Sequence, residues 1–167
     1  MVNFNVINTQ NIWKILGTIP DPEVPVISIV DLGIVRDVNI QSNQVEIIIT
    51  PTYTGCPAMD MISVNIKTVL ENEGFSNIKV TSVLAPAWTT DWMSEEGKQK
   101  LKEYGIAPPN KKQQVCTPDL FIQDEAVACP RCNTYHTVLV SRFGSTACKA
   151  LYKCNECNEP FDYFKCH

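Results

Sequence analysis

A chain of 167 residues accommodates one ordinary domain plus a small one, and 44% hydrophobic with 19% charged residues excludes a chain disordered by composition. The net charge of −4 and pI near 5.2 argue against a nucleic-acid partner, because phosphate neutralisation by basic side chains supplies most of such affinity. MVNFNVINTQ at the start has neither a basic n-region nor an apolar h-region, and no apolar run approaches the roughly 18 residues that cross a bilayer. A cytoplasmic protein without membrane association is therefore expected, and its eight cysteines read as ligands or reactive thiols more readily than as disulfides.

Residues 10–19 (QNIWKILGTI) predict a short helix with Ile12, Ile15, Leu16 and Ile19 on one side. Two prolines in DPEVP (21–25) end it in an ordered loop. On local grounds Asp21 reads as a turn cap and Asp31, before Leu32-Gly33, as a solvated loop residue. Residues 34–41 and 44–50 predict two strands joined at Ser42-Asn43, with Val45, Ile47 and Ile49 alternating against Glu46 and Thr50. A helix starts at Pro57, with Ala58, Met61, Ile62, Ile66, Val69 and Leu70 at helical spacing and Gly74 as its stop; Asn65 interrupts the stripe. A third strand follows at 77–84, and Trp88 and Trp92 flank TTD, at least one of them expected in the core. Ser94 caps a helix over 95–104 that carries Glu95 and Glu96 in its first turn and ends at Gly105.

The order helix–strand–strand–helix–strand defines an α+β fold, a small α/β sandwich over 1–107. IAPPNKKQQVCTP (106–118) has the composition of a linker, placed at 108–125, and cysteines organise a zinc-ribbon-like β module over 126–167.

CPRC (129–132) and CNEC (154–157) are the most specific signal. Two cysteines separated by two residues present both sulfurs to one ion from a tight turn, so Cys129, Cys132, Cys154 and Cys157 can complete a closed tetrahedral site for one structural zinc. The intervening residues, with TVLVSRF (137–143), supply a hairpin, and Asn133 and Asn158 each follow a pair where left-handed backbone is required. Spacing alone leaves an iron–sulfur cluster on the same ligands open, as it does reduced core cysteines or disulfides. Cys148 and Cys166 are left over as buried groups, ligands or redox thiols, and neither His136 nor His167 is marked as a ligand.

Cys56 precedes Pro57, so it is expected at the N-cap of a helix, where free amides and the dipole lower a thiol pKa. Gly55 lets backbone approach closely and Thr54 adds a hydroxyl. A structural cap with a partly buried thiol explains the same pattern, and both readings stand. No Ser-His-Asp set, P-loop or dinucleotide fingerprint is present, which argues against an enzyme.

DPEVPVISIVDLGIVRDV (21–38) with TPTYTGCPAMDMI (50–62) resembles the MIP18-type family of small proteins in cytosolic iron–sulfur protein maturation. APAWTTDWMSEEGKQKLKEYGIAPP (85–109) and FGSTACKALYKCNECNEPFDYFKC (143–166) resemble the D-subunit family of bacterial phenylacetyl-CoA oxygenase (epoxidase) systems. The resemblance implies an accessory maturation factor in aerobic phenylacetate degradation. Its partners would be the di-iron oxygenase or the iron–sulfur reductase of that system. It also implies that Cys56, with Asp21, Glu23 and Thr54, contacts a transient iron ion or iron–sulfur cluster beside the structural zinc. The alternative is an adaptor component of the complex that transfers no metal.

Overall fold

The computed structural model describes residues 8–41, 44–109 and 127–165. The expected turn at Ser42-Asn43, most of the linker, Cys166 and His167 lie outside these residues.

Helix α1 (Thr9–Leu16) starts where the Asn8 side chain accepts the Gln10 amide, and it buries Ile12 and Leu16. It ends earlier than its apolar pattern predicts, so Ile19 is buried from the loop beyond it. Strands β1 (Val35–Gln41) and β2 (Gln44–Ile49) pair antiparallel, and Val45, Ile47 and Ile49 all point inward, as their alternation requires. Helix α2 (Ala58–Asn72) then carries the chain to β3 (Ile78–Ser82), which pairs parallel with β2, so the sheet order is β1-β2-β3.

The buried stripe of α2 is Ala58, Ile62, Ile66 and Leu70, a strict four-residue row. Met61, counted on the apolar face from its spacing, is 54% exposed, and Asn65 flanks the row without interrupting it. A 3-10 turn (Thr90–Trp92) leads to α3 (Glu95–Tyr104), where the Ser94 hydroxyl accepts the Gly97 amide and Gly105 closes the helix at φ 94°. Trp88 is the core tryptophan and donates its indole N–H to the Leu32 carbonyl at 3.0 Å.

Asp31 is not a solvated loop residue. Its carboxylate accepts from the Ser94 hydroxyl at 2.7 Å and pairs with Lys100 at 2.9 Å, tying the 27–33 loop to α3. Gly33 (φ 76°) follows, and a Cβ there would meet the Trp92 carbonyl at 2.5 Å, so a side chain cannot be placed at this position.

The second sheet has the order β4-β7-β6-β5, formed by β4 (Ile106–Ala107), β5 (Thr137–Ser141), β6 (Lys149–Cys154) and β7 (Pro160–Phe164). Ile106–Ala107, at the end of the first sequence module, thus pairs in parallel with β7 in the second. Tyr152, Phe161, Tyr163 and the buried cysteines Cys129 and Cys154 form a small core of their own. Phe164 and Cys148 instead belong to the first module's core, where the Phe164 ring meets Trp88 edge-on at 6.1 Å. The ribbon is therefore docked on the α+β module through side chains, not merely tethered by its linker.

Candidate functional site

Two sulfur sites emerge, at opposite ends of β6. At the C-terminal end, Cys129 and Cys132 face Cys154 and Cys157. Asn133 and Asn158 both take φ 59°, the left-handed conformation expected from their places after each pair. Matching backbone bonds close the two turns: the Cys129 amide donates to the Thr134 carbonyl at 2.8 Å and the Cys154 amide to the Glu159 carbonyl at 2.9 Å.

The Cys129 and Cys157 sulfurs are 3.8 Å apart, those of Cys132 and Cys154 3.5 Å, and all four lie within 4.8 Å of one another. Zinc–sulfur bonds of about 2.3 Å in a tetrahedron put sulfurs roughly 3.8 Å apart, so the set fits a single zinc ion. A polynuclear cluster, whose cysteines bind different irons, needs a wider set. Burial opposes ionisation of Cys154, but the Cys157 and Glu156 amides and the neighbouring thiols aim at its sulfur and bring it down to about 7. The Thr134 amide favours a thiolate at Cys132 too, yet burial and its thiol neighbours push it up to about 12. His136 pairs with Glu156 at 2.8 Å on the surface and is not among the donors.

The other site lies where the modules meet. Asp21, 5% exposed, accepts the Glu23 and Val24 amides at 2.9 and 2.8 Å, so the turn reading of this residue is the one the fold adopts. Burial raises its pKa above the usual carboxylate range. That turn places Glu23 beside the ribbon, where its Oε2 accepts from the Cys148 thiol at 3.5 Å. Burial pushes Cys148 up to about 11. Cys56 is half-buried, with its sulfur accepting the Ala58 amide and the Tyr53 hydroxyl.

Helix α2 starts one residue later than expected. Pro57 is its cap, and Cys56 stands just before it. The thiol still reaches a free amide, but burial outweighs that bond and the carboxylates of Glu23 and Asp21 add repulsion, so its pKa is raised, opposite to the expected direction. Thr54 is exposed at the tip of the turn, while nothing lies within 4 Å of the Gly55 Cβ position, leaving the thiol turn open to an approaching partner.

Tyr53 carried no signal in the sequence, and Cys148, left over there among buried groups, ligands and redox thiols, is buried. Tyr53, whose burial and thiol neighbours push its hydroxyl up to about 12, sits among Cys56, Glu23 and Cys148. Cys148 is brought to Glu23 across 125 positions of chain. Among the described residues only the four ribbon cysteines bring three or more donor atoms within 4.8 Å, so Cys56, Asp21 and Glu23 are not closed around one ion.

Residues 9–83 match the family described as iron–sulfur cluster assembly protein, and residues 113–165 match the PaaD zinc beta ribbon domain. The class is therefore an iron–sulfur assembly-type α+β module bearing a zinc ribbon. Over 157 residues, covering 94% of this chain and 92% of the relative, it is 50% identical to the D-subunit of the putative 1,2-phenylacetyl-CoA epoxidase of Escherichia coli strain K12. The chain belongs to this PaaD family. It is also 33% identical, over 55% of its length and 89% of the relative's, to an Fe-S protein maturation auxiliary factor of Porphyromonas gingivalis. A solved domain of unknown function (DUF59) from Bacillus anthracis superposes with a TM-score of 0.53 at 32% identity, covering 56% of this chain and 90% of that one. Among the described residues, no helix is long and apolar enough to cross a membrane.

Proposed function

We propose that the protein is a non-enzymatic maturation factor that accepts iron or an iron–sulfur cluster at Cys56 and delivers it to a metal centre of the multicomponent phenylacetyl-CoA epoxidase. It acts in the cytoplasm, on the di-iron oxygenase or the iron–sulfur reductase of that system. The observation that carries this reading is the Cys56 thiol itself. It is half-buried on an open turn, hydrogen-bonded by Tyr53 and the Ala58 amide, and kept protonated at rest by burial and by Glu23 and Asp21. A metal must displace that proton to bind, so its hold weakens with every unit of raised pKa. Loose, reversible capture is what a carrier requires, and the ribbon site, with four cysteine sulfurs already gathered within 4.8 Å of one another, is suited to permanent retention. The match of residues 9–83 to iron–sulfur cluster assembly proteins supports the same reading.

Co-production of Cys56→Ala with the oxygenase subunits tests it. The variant keeps its zinc and its fold, and the co-purified oxygenase contains less iron; unchanged oxygenase iron would remove the proposal.

One observation favours the adaptor alternative. Strand β5 is a sheet edge whose Val138 and Val140 are exposed, with Tyr135 and Phe143 exposed nearby, a surface open to a protein neighbour. An adaptor co-purifies with active enzyme at fixed stoichiometry. A maturation factor can be removed after loading while activity persists.

A further inference from the structure

Strand β5 (Thr137–Ser141) is an edge of the second sheet: among the described residues its one strand neighbour is β6, and the opposite edge, β4, is only two residues long. The Asn155 amide donates to the His136 carbonyl at 2.9 Å, which sets the phase of the ladder. Val138, two residues on and paired with Lys153, then bonds toward β6, whereas Thr137 and Leu139 turn their backbone groups to the open side. The Tyr135 carbonyl takes the Thr137 amide at 2.9 Å, so the Thr137 carbonyl and both Leu139 groups are what this edge offers. Thr137–Ser141 carries neither a charge nor a proline, the usual protections of an exposed edge.

The sequence around the edge is symmetric in residue type. In YHTVLVSRF (135–143), valine, hydroxyl, basic and aromatic residues recur at equal distances on either side of Leu139. An antiparallel strand of the same sequence, turned about a two-fold axis at Leu139, therefore sets like against like. Val138 lies opposite Val140 of the second strand on the outer face of the sheet, where the two are 46% and 57% exposed. Thr137 meets Ser141, and Tyr135 meets Phe143, both of them 62% exposed. At the basic positions an acid is already present. His136 holds Glu156 at 2.8 Å, so Arg142 of the second strand arrives beside that carboxylate, and symmetry repeats the contact.

We propose that β5 pairs with β5 of a second copy of this chain, joining two four-stranded sheets into one across a two-fold axis at Leu139. Leu139 exchanges both N–H···O bonds with its counterpart, and the four valines close over the joint. The bulge between Leu139 and Ser141 keeps this ladder short. One short strand per copy buries less than about 1,200 Å² in total, the class of weak and reversible interfaces, so the dimer dissociates on dilution. The contact is isologous and closes on itself, which uses up the edge and stops growth at two chains. Thr137 pairs with Cys154, so antiparallel pairing sets the two zinc clamps at opposite ends of the joint. Cys56 lies in the other module, so metal carriage and pairing are separable by experiment.

Sedimentation equilibrium of the zinc-saturated full chain over a roughly hundred-fold range of concentration tests this, and a monomer–dimer equilibrium is expected. Val138→Lys/Val140→Lys sets like charges against each other across the axis and is expected to give monomer throughout, with one zinc per chain retained as the check on folding. Val138→Lys/Val140→Glu sets opposite charges against each other at the same two positions and is expected to restore the dimer. Hydrogen exchange of the Leu139 amide should slow as the unsubstituted chain is concentrated and stay constant in the double-lysine variant. A chain that is monomeric at every concentration overturns the proposal, as does a dimer indifferent to the two lysines. Failure of the lysine–glutamate variant to pair contradicts the axis at Leu139. A monomer that binds the oxygenase subunits, and loses that binding in the double-lysine variant, assigns the edge to a client and overturns self-pairing. Cys56→Ser is expected to leave the equilibrium unchanged, so this result and the fate of the carrier reading are told apart.

Discussion

Removing metal from the ribbon is expected to weaken the α+β module as well as the ribbon. Cys154→Ser opens the clamp, and a segment of about 40 residues has too small a core to persist without it. When the ribbon melts, Phe164 (1% exposed) and Cys148 leave the first core, and the edge-on contact of Phe164 with Trp88 is lost. Burial of a Phe side chain is worth about 1.5–3 kcal/mol and such a ring pair about 0.5–1.5 kcal/mol. The α+β module should therefore lose about 2–4 kcal/mol, roughly 10–25 °C in melting midpoint for a module of this size. All three tryptophans, Trp13, Trp88 and Trp92, lie in that module, and Trp13 and Trp92 fluorescence, with Trp88→Phe removing the tryptophan that touches Phe164, follows its unfolding. A fluorescence midpoint in Cys154→Ser within about 2 °C of the unsubstituted protein would refute side-chain docking as a source of stability.

Alkylation of Cys56 by iodoacetamide should still be accelerating above pH 9, because its pKa is raised above the ordinary thiol value of 9.0; Tyr53→Phe slows it at pH 8 and Glu23→Gln speeds it, and the reverse order would contradict the assigned causes. Asp21→Ala leaves the Glu23 and Val24 amides without their acceptor and is expected to destabilise by about 1–3 kcal/mol in urea unfolding. Asp21→Asn keeps that acceptor. Since the folded pKa of Asp21 is raised, ionisation opposes folding, absent below about pH 4 and complete above the folded value, so the stability of Asp21→Asn relative to the parent should rise from pH 4 to pH 7. Gly97→Ala puts a Cβ 2.9 Å from Ile27 Cδ1 and 3.0 Å from Asp31 Cβ; it should lower the urea midpoint by the equivalent of about 1–3 kcal/mol, although alanine favours helix.

The parts of this molecule that are legible in its sequence are those set by local rules. CPRC and CNEC, each followed by Asn, specify two like turns, and the left-handed Asn133 and Asn158 bear that out. Val45, Ile47 and Ile49 fix their strand's inward face by alternation alone, and Ser94 with Gly105 bounds α3 by cap chemistry. What stays hidden depends on tertiary placement. Cys148 meets Glu23 only because β6 and the Asp21 turn converge, and Ile106–Ala107 becomes a strand only because β7 offers an edge. The pKa of Cys56 runs against its sequence signal for a related reason: helix-start chemistry is visible in Gly-Cys-Pro, whereas the burial and the acidic neighbours that outweigh it come from elsewhere in the fold.

The most direct measurement is transfer itself. The full chain is loaded anaerobically with iron-57, freed of unbound metal, and mixed with metal-depleted oxygenase subunits; Mössbauer spectra then follow where the label resides. Label is expected to move to the oxygenase from the unsubstituted protein and not from Cys56→Ser, with ribbon zinc unchanged in both. Equal delivery from the two proteins, or label that never leaves the loaded chain, would contradict a role for Cys56 in carrying metal.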